Sequence, residues 1–204
     1  MHICSDTPLA VLSSAIVGGE LRQTRHIVNM QVPKDYSCGN HVADLNAMAH
    51  ELGIAEPFVG MLMAARLERA QAVTEQDEHT AVVAVVTVGL SHPVASGVTP
   101  AFSTQPGTIN TVIIVDGQLN DAARVSAVNT ATEAKTLALV EANVRARHGG
   151  PASGTGTDAF ASTERGRRFE YAGPIAPSRA LPDPALTRSV RDGARERRHG
   201  KIVG

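Results

Sequence analysis

The sequence predicts a single α/β domain in which a mixed β-sheet packs in layers against helices. Three observations carry that expectation. Short β-branched or apolar runs are interspersed with segments of helical periodicity. In places two or more strand-like runs follow one another, which favours a mixed layer fold over a regular doubly wound sheet. Hydrophobic residues make up 43% and charged residues 19% of 204 residues, so one core can be buried and global disorder is not expected.

The elements are read in chain order. Leu9 to Val17 is apolar and runs into Gly18-Gly19, as a strand entering a tight turn does. Arg25 to Val32 alternates around Ile27, Val28, Met30 and Val32, and Pro33 closes this second strand. His41 to Leu52 places Val42, Leu45, Ala49 and Leu52 at helical spacing, with Gly53 as the stop. Phe58 to Leu67 is apolar and fits strand or helix. His79 to Val88 is Val-rich and reads as a strand. Thr99 to Pro106 is a polar loop with two prolines. Thr108 to Val115 is a β-branched strand ended by the turn Asp116-Gly117.

Leu119 to Arg147 predicts a long helix. Its stripe of Leu119, Ala122, Ala123, Ser126, Ala127, Thr130, Ala134, Leu137, Ala138 and Glu141 is mostly small, so it can approach a sheet closely. His148-Gly149-Gly150-Pro151 stops it. Thr157 to Ser162 and Arg168 to Ala172 read as late strands. Pro174 to Pro184 holds four prolines and excludes regular structure. Thr187 to Arg198 offers a last helix, with Arg188, Arg191, Arg195 and Arg198 along one solvated face. The chain therefore divides into a domain over 1–173 and a proline-rich segment with a helix or tail over 174–204. No internal repeat is visible.

Composition narrows the function classes. Aromatic residues are only 3% and Trp is absent, so the core is built from Ala, Val, Leu and Ile, and base stacking on a nucleic acid is hard to supply. A net charge of −1 gives no reason to expect a polyanion partner. The apolar run Ala81 to Leu90 is far shorter than the roughly 20 residues of a membrane helix. Met1 to Asp6 has no basic region followed by an apolar stretch, so no signal peptide is expected. Cys4 and Cys38 are isolated and read as reduced thiols, in keeping with a cytoplasmic protein. The eight histidines show no metal-ligand spacing, so neither a protein-bound metal nor a cofactor is expected. Homo-oligomerisation stays open.

Four segments set polar side chains among small or apolar neighbours. They are Ser13 to Gly19 followed by Asn29; Thr87-Val88-Gly89-Leu90-Ser91-His92; Gly107-Thr108-Ile109-Asn110 with Asn129 to Lys135 on the helix beyond; and Gly154-Thr155-Gly156-Thr157-Asp158. With Ile27-Val28-Asn29, Val32-Pro33, Val59-Gly60-Met61 and Gly97, these segments resemble the adenosylcobinamide amidohydrolase family, in the family's order. The resemblance is strongest at Gly107 to Asn110, Thr130 to Lys135 and Gly154 to Asp158, and fades after Tyr171-Ala172-Gly173. It implies hydrolysis of the amide between aminopropanol and the corrin acid, giving adenosylcobyric acid in corrinoid salvage. The cobalt would then belong to the substrate. The chain departs from the family pattern at Met63 (usually Thr), at His92 (usually Asn), and at Pro174-Ile175-Ala176, where the family tends to continue Thr-His-Thr. Two rival readings therefore stand beside the first: a corrinoid-binding protein that has lost turnover, and an amidase for another amide.

Amide hydrolysis needs an activated water or nucleophile, a cradle for the tetrahedral oxyanion and a proton for the leaving amine. Glu133, Asp158, Lys135 and His92 are the candidate catalytic groups. Glu133 shares a helix face with Asn129 and Thr130, whereas Lys135 lies about 200° away, so Glu133 is expected to point inward. Asp158 is a candidate general base, and His92 a substitute for the histidine missing after Gly173. Asn29, Ser91, Thr108, Asn110, Thr155 and Thr157 are the candidate substrate contacts. Asn29 and Asn110 sit in apolar strands, where an amide must be hydrogen-bonded. Gly154 to Thr157 and Gly107-Thr108 are turns that can present backbone N–H groups, although neither has phosphate-loop spacing. Ser91 and His92 are neighbours on a strand and would face opposite ways, so they do not form a dyad. A Ser13 or Ser14 nucleophile is the minority alternative to general-base hydrolysis.

Overall fold

The computed structural model describes residues 1–36, 39–76, 78, 80–100, 109–154, 158–173, 187–188, 190–192 and 195, with the backbone alone for 158–160. Nine strands and two α-helices are assigned among them: β1 (His2–Ser13), β2 (Leu21–Gln31), α1 (His41–Glu51), β3 (Phe58–Met63), β4 (Gln71–Gln76), β5 (Ala81–Val88), β6 (Ile109–Val115), β7 (Gln118–Leu119), α2 (Asp121–Glu141), β8 (Asp158–Ser162) and β9 (Arg168–Phe169). Seven strands form one mixed sheet in the order β3-β2-β1-β8-β6-β5-β4. The β2–β3 and β6–β8 pairs are parallel. The other pairs are antiparallel. This is the mixed α/β layer fold that the sequence predicts. No helix among the described residues is long and apolar enough to cross a membrane.

The sheet is strongly curled. In a flat sheet, β2 and β6 would stand three strand spacings apart, about 14 Å. Yet Asn110 on β6 donates to Asn29 Oδ1 on β2 at 3.0 Å and to the Leu62 carbonyl on β3 at 2.8 Å. The β2–β3 edge therefore folds back over β5–β6. Part of this bend is made in β1, whose register with β2 jumps between Cys4 and Leu9. Inside the curl lie Leu9, Val11, Ile27, Val59, Met61, Val112 and Ala161, one cluster fed by alternate residues of five strands.

The helices cover the outer face. Leu45 and Ala49 of α1 pack on Val28, Met30, Phe58 and Leu62. Ala123 and Ala127 of α2 meet Val82, Ala84, Ile113 and Val115, while Ala134, Ala138 and Leu139 meet Val86 and Ile109. So α2 runs antiparallel to β6, on a face of small residues that allows close approach. Gly60 on β3 serves packing: a Cβ there would lie 2.9 Å from Phe58 Cε2 and 3.2 Å from Leu45 Cδ1.

Local chemistry sets the helix ends. Asn40 Oδ1 accepts from Ala43 N–H, and Asn120 Oδ1 from Ala123 N–H. Gly53, at φ 71°, ends α1 as expected, with Ile54 N–H bonded back to Ala49. The other helix corrects the sequence reading: α2 stops at Glu141, not Arg147. Asn143 takes φ 52°, its N–H bonds to Val140 O, and Val144 N–H reaches Leu139 O. That is a Schellman end with asparagine in the left-handed position, completed by burial of Val144 beside Leu139. Replacing Asn143 by Ala should cost about 1 kcal/mol, whereas Gly should be neutral or stabilising. Urea-unfolding midpoints of the two variants check this.

Other boundaries also move. β1 starts at His2 and ends at Ser13, where Ser13 Oγ accepts from Ala15 N–H and turns the chain. Its first half alternates between exposed and half-buried positions and carries no apolar run. β4 was not expected; it is an edge strand with no fully buried residue, so it lacks the apolar signature of an inner strand. Phe58–Met63 resolves as a strand buried on both faces. The strand expected over 168–172 shortens to Arg168–Phe169, paired with β7. Val190, among the helical residues near the C-terminus, is fully buried with Val86, Leu90 and Ile109, and Arg191 pairs with Glu141. Most of the loop expected over 99–106, Thr108 at the predicted strand start, and the proline-rich stretch 174–184 lie outside the described residues, as does Cys38.

Candidate functional site

The motif segments converge at one end of the sheet. There β5 ends at Val88, opposite Ile109 at the start of β6. Asp158 opens β8 in parallel register with Thr111. The chain leaving β5 is stitched to the approach to β8: Ser153 N–H donates to Val94 O at 2.9 Å, and Val94 forms a bridge with Gly154. Ser153 Oγ accepts from Ser96 N–H at 2.8 Å. From the helix side, Thr136 Oγ1 donates to Ser153 O at 2.8 Å. Val94 and Ser96 after β5, Thr136 on α2, and Ser153 and Gly154 ahead of β8 thus share one corner, where the C-terminal half of α2 crosses this end of β5 and β6.

Lys135 is the ionisable side chain that α2 turns inward there, at 4% exposure. Glu133 is exposed, which overturns the expectation that it faces the core. The geometry of the stripe gives the reason. Measured from Thr130 at about 100° per residue, Ala123, Ala127, Ala134, Ala138, Lys135 and Leu139 fall between 0 and about 180°. Thr130 therefore marks one edge of the buried stripe, and Glu133, at about 300°, lies beyond that edge. Leu137, read as part of the stripe, is likewise exposed. A buried ammonium is rare because desolvation is costly, so Lys135 stands out from an ordinary surface lysine. Thr111, facing the same side from β6, is 2% exposed, and its Oγ1 has no hydrogen-bond partner among the described residues.

Asn29 and Asn110 occupy a different place. Both are 1% exposed and lie inside the curl. Asn29 Nδ2 donates to Thr87 Oγ1 at 3.1 Å, and Asn110 spends its amide hydrogens on Asn29 and the Leu62 carbonyl. This network locks β2, β3, β5 and β6 together, so the two amides expected to contact substrate are engaged with protein partners inside the curl. Thr87, which completes it, could be suspected only as a lone hydroxyl in a Val-rich strand. Lys135 and Asn110 belong to opposite faces of the sheet, so one cleft does not hold both.

The remaining expected residues divide as follows. Ser91 is exposed and His92 half-buried just beyond β5. The Nδ1 of His92 is buried without a hydrogen-bond partner among the described residues. Asp158 has its backbone placed at the corner. Thr108, Thr155 and Thr157 lie outside the described residues.

The family model for adenosylcobinamide amidohydrolase matches residues 1–200. The chain belongs to the adenosylcobinamide amidohydrolase family. A Methanosarcina mazei protein named adenosylcobinamide amidohydrolase is 33% identical over 130 residues, covering 64% of this chain and 60% of that protein. An uncharacterized protein of Methanocaldococcus jannaschii is 27% identical over 161 residues, covering 67% of this chain and 63% of the relative. The chain thus matches about three-fifths of the length of each. Within the adenosylcobinamide amidohydrolase motifs, the structure separates two kinds of residue. Asn29, Thr87 and Asn110 hold the curled sheet together, and Gly60 lets α1 pack closely on its outer face. Lys135, Ser153, Gly154 and the backbone of Asp158 lie at the sheet end.

Proposed function

We propose that this protein hydrolyses the aminopropanol amide of adenosylcobinamide, releasing adenosylcobyric acid and aminopropanol, and so serves corrinoid salvage. Family membership over residues 1–200 supports the substrate class. The observation that carries this reading of the site is the meeting of Val94, Ser96, Thr136, Ser153 and Gly154 at one end of the sheet, next to buried Lys135 on α2.

At that corner Lys135 supplies a positive charge to the oxyanion that forms when water adds to the amide carbonyl. Such a charge acts most strongly where water is excluded. Asp158 takes the proton from the attacking water and passes it toward the departing amine. Thr155 and Thr157, with Thr108, receive the polar side arms of the corrin, and Ser91 and His92 line the approach from β5. Glu133, on the solvent side of α2, has no part in proton transfer.

Incubating the protein with adenosylcobinamide and separating the products tests the reading: adenosylcobyric acid and free aminopropanol should appear together. Tight binding without product would instead make this a corrinoid-binding protein, and neither binding nor product would point to another amide. Within the active protein, Asp158→Asn should lower kcat about 100-fold, the usual scale for a general base. Glu133→Gln should leave kcat within about twofold, because an exposed carboxylate outside the cleft gives up no proton-transfer role. Steady-state rates of both variants measure the contrast.

A further inference from the structure

Cys4 and His26 are direct partners in the β1–β2 register, and His2 pairs with Val28, one diagonal step from His26. The three side chains therefore project from one face of the hairpin, and their ligand atoms all lie within 4.8 Å of one another. His2 Nε2 and His26 Nδ1 are 3.0 Å apart. The other nitrogen of His26, Nε2, lies 3.3 Å from Glu56 Oε1. The cluster shares its face with Val28, outside the curl, whereas Asn29 points inside; it is no part of the corner around Lys135.

We propose that His2, Cys4 and His26 form a binding site for a late first-row divalent cation, zinc foremost. The ligand chemistry is borderline to soft, two imidazoles and one thiolate, which suits zinc and disfavours calcium or magnesium. A tetrahedral site with metal–nitrogen bonds of about 2.0–2.1 Å sets neighbouring nitrogens about 3.3 Å apart, close to the observed His2–His26 spacing. Glu56 is placed as the outer partner that ligating histidines usually have: it fixes the proton on His26 Nε2 and aims the Nδ1 lone pair at the cation. On binding, the Cys4 thiol gives up its proton to solvent, and the His2 ring proton moves to Nδ1, freeing Nε2 as donor. Three protein ligands leave a fourth position for water, and the exposure of His2 and Cys4 gives the cation a path in. Sequence spacing hid the site, because two of its ligands come from positions 2 and 4 and the third from position 26 on the returning strand.

Cobalt(II) is the probe, added to the reduced, metal-stripped full-length protein. A thiolate-to-cobalt charge-transfer band in the near ultraviolet, saturating at stoichiometric metal and displaced by Zn2+, is the expected result. Cys4→Ser should abolish the band, Cys38→Ser should keep it, and His26→Ala should abolish saturable binding. Glu56→Gln should weaken zinc affinity by about 10- to 100-fold in a chelator competition, the usual effect of losing an outer-shell partner. Far-ultraviolet dichroism matching the parent protein shows that each variant is folded. Absence of the band, or its survival in Cys4→Ser, would overturn the assignment.

Discussion

Replacing Lys135 with Met should reduce amide hydrolysis by about 100- to 1,000-fold, with most of the loss in kcat. That range is what one preorganised electrostatic group contributes when it meets charge that develops only in the transition state. Methionine keeps the length and apolar stem of lysine, so the packing beside Ala134, Ala138 and Leu139 is disturbed little. A buried charge that served only the fold would behave differently, since removing it strands the group it meets and lowers the unfolding midpoint while the folded fraction keeps its rate. The measurement is therefore paired: initial rates at saturating adenosylcobinamide, and a thermal unfolding midpoint. A large rate loss with a midpoint close to the parent's places Lys135 in the chemistry. A normal rate removes it from the mechanism.

The second large effect is on stability. Asn110→Ala should destabilise the protein by roughly 2–6 kcal/mol, because it strands two buried acceptors, Asn29 Oδ1 and the Leu62 carbonyl, at about 1–3 kcal/mol each. The loss should exceed that of an Asn-to-Ala change at an exposed position severalfold. These bonds join strands that are distant in sheet order, so the variant should loosen the closure of β2–β3 over β5–β6. Urea denaturation reports the free energy, and hydrogen exchange reports the place: amides of β3 should lose protection ahead of those of β8. A change below about 0.5 kcal/mol would mean that the amide network does not hold the curl.

Much of the fold was legible because it is written in local periodicity. The Val-rich β5, the β-branched β6 and the small-residue stripe of α2 each signal their element through residues close in sequence. What escaped depends on the partner. β4 and the first half of β1 have half-exposed, polar positions, and only their neighbours make them strands. Asn143 ended α2 six residues early because a left-handed asparagine can do what glycine was expected to do further on.

The candidate site divides in the same way. The motif segments could be found, and their meeting at the end of β5 and β6 could be hoped for, but not which side of each element faced inward. A helical wheel anchored on Thr130 misplaced Glu133, because Thr130 is the edge of the buried stripe rather than its middle. Asn29 and Asn110 were rightly read as amides that need partners. The partner is the other asparagine, brought across by a curl that no local pattern encodes. The His2, Cys4 and His26 cluster was invisible for the same reason, being a product of strand pairing.

The most direct test is a crystal structure of the protein with adenosylcobinamide bound. The aminopropanol amide should lie at the ends of β5 and β6, its carbonyl oxygen within hydrogen-bonding reach of Lys135 Nζ and its carbon beside Asp158. An amide seated against the outer, Glu133 side of α2, with Lys135 still walled off beneath the helix, would contradict the account.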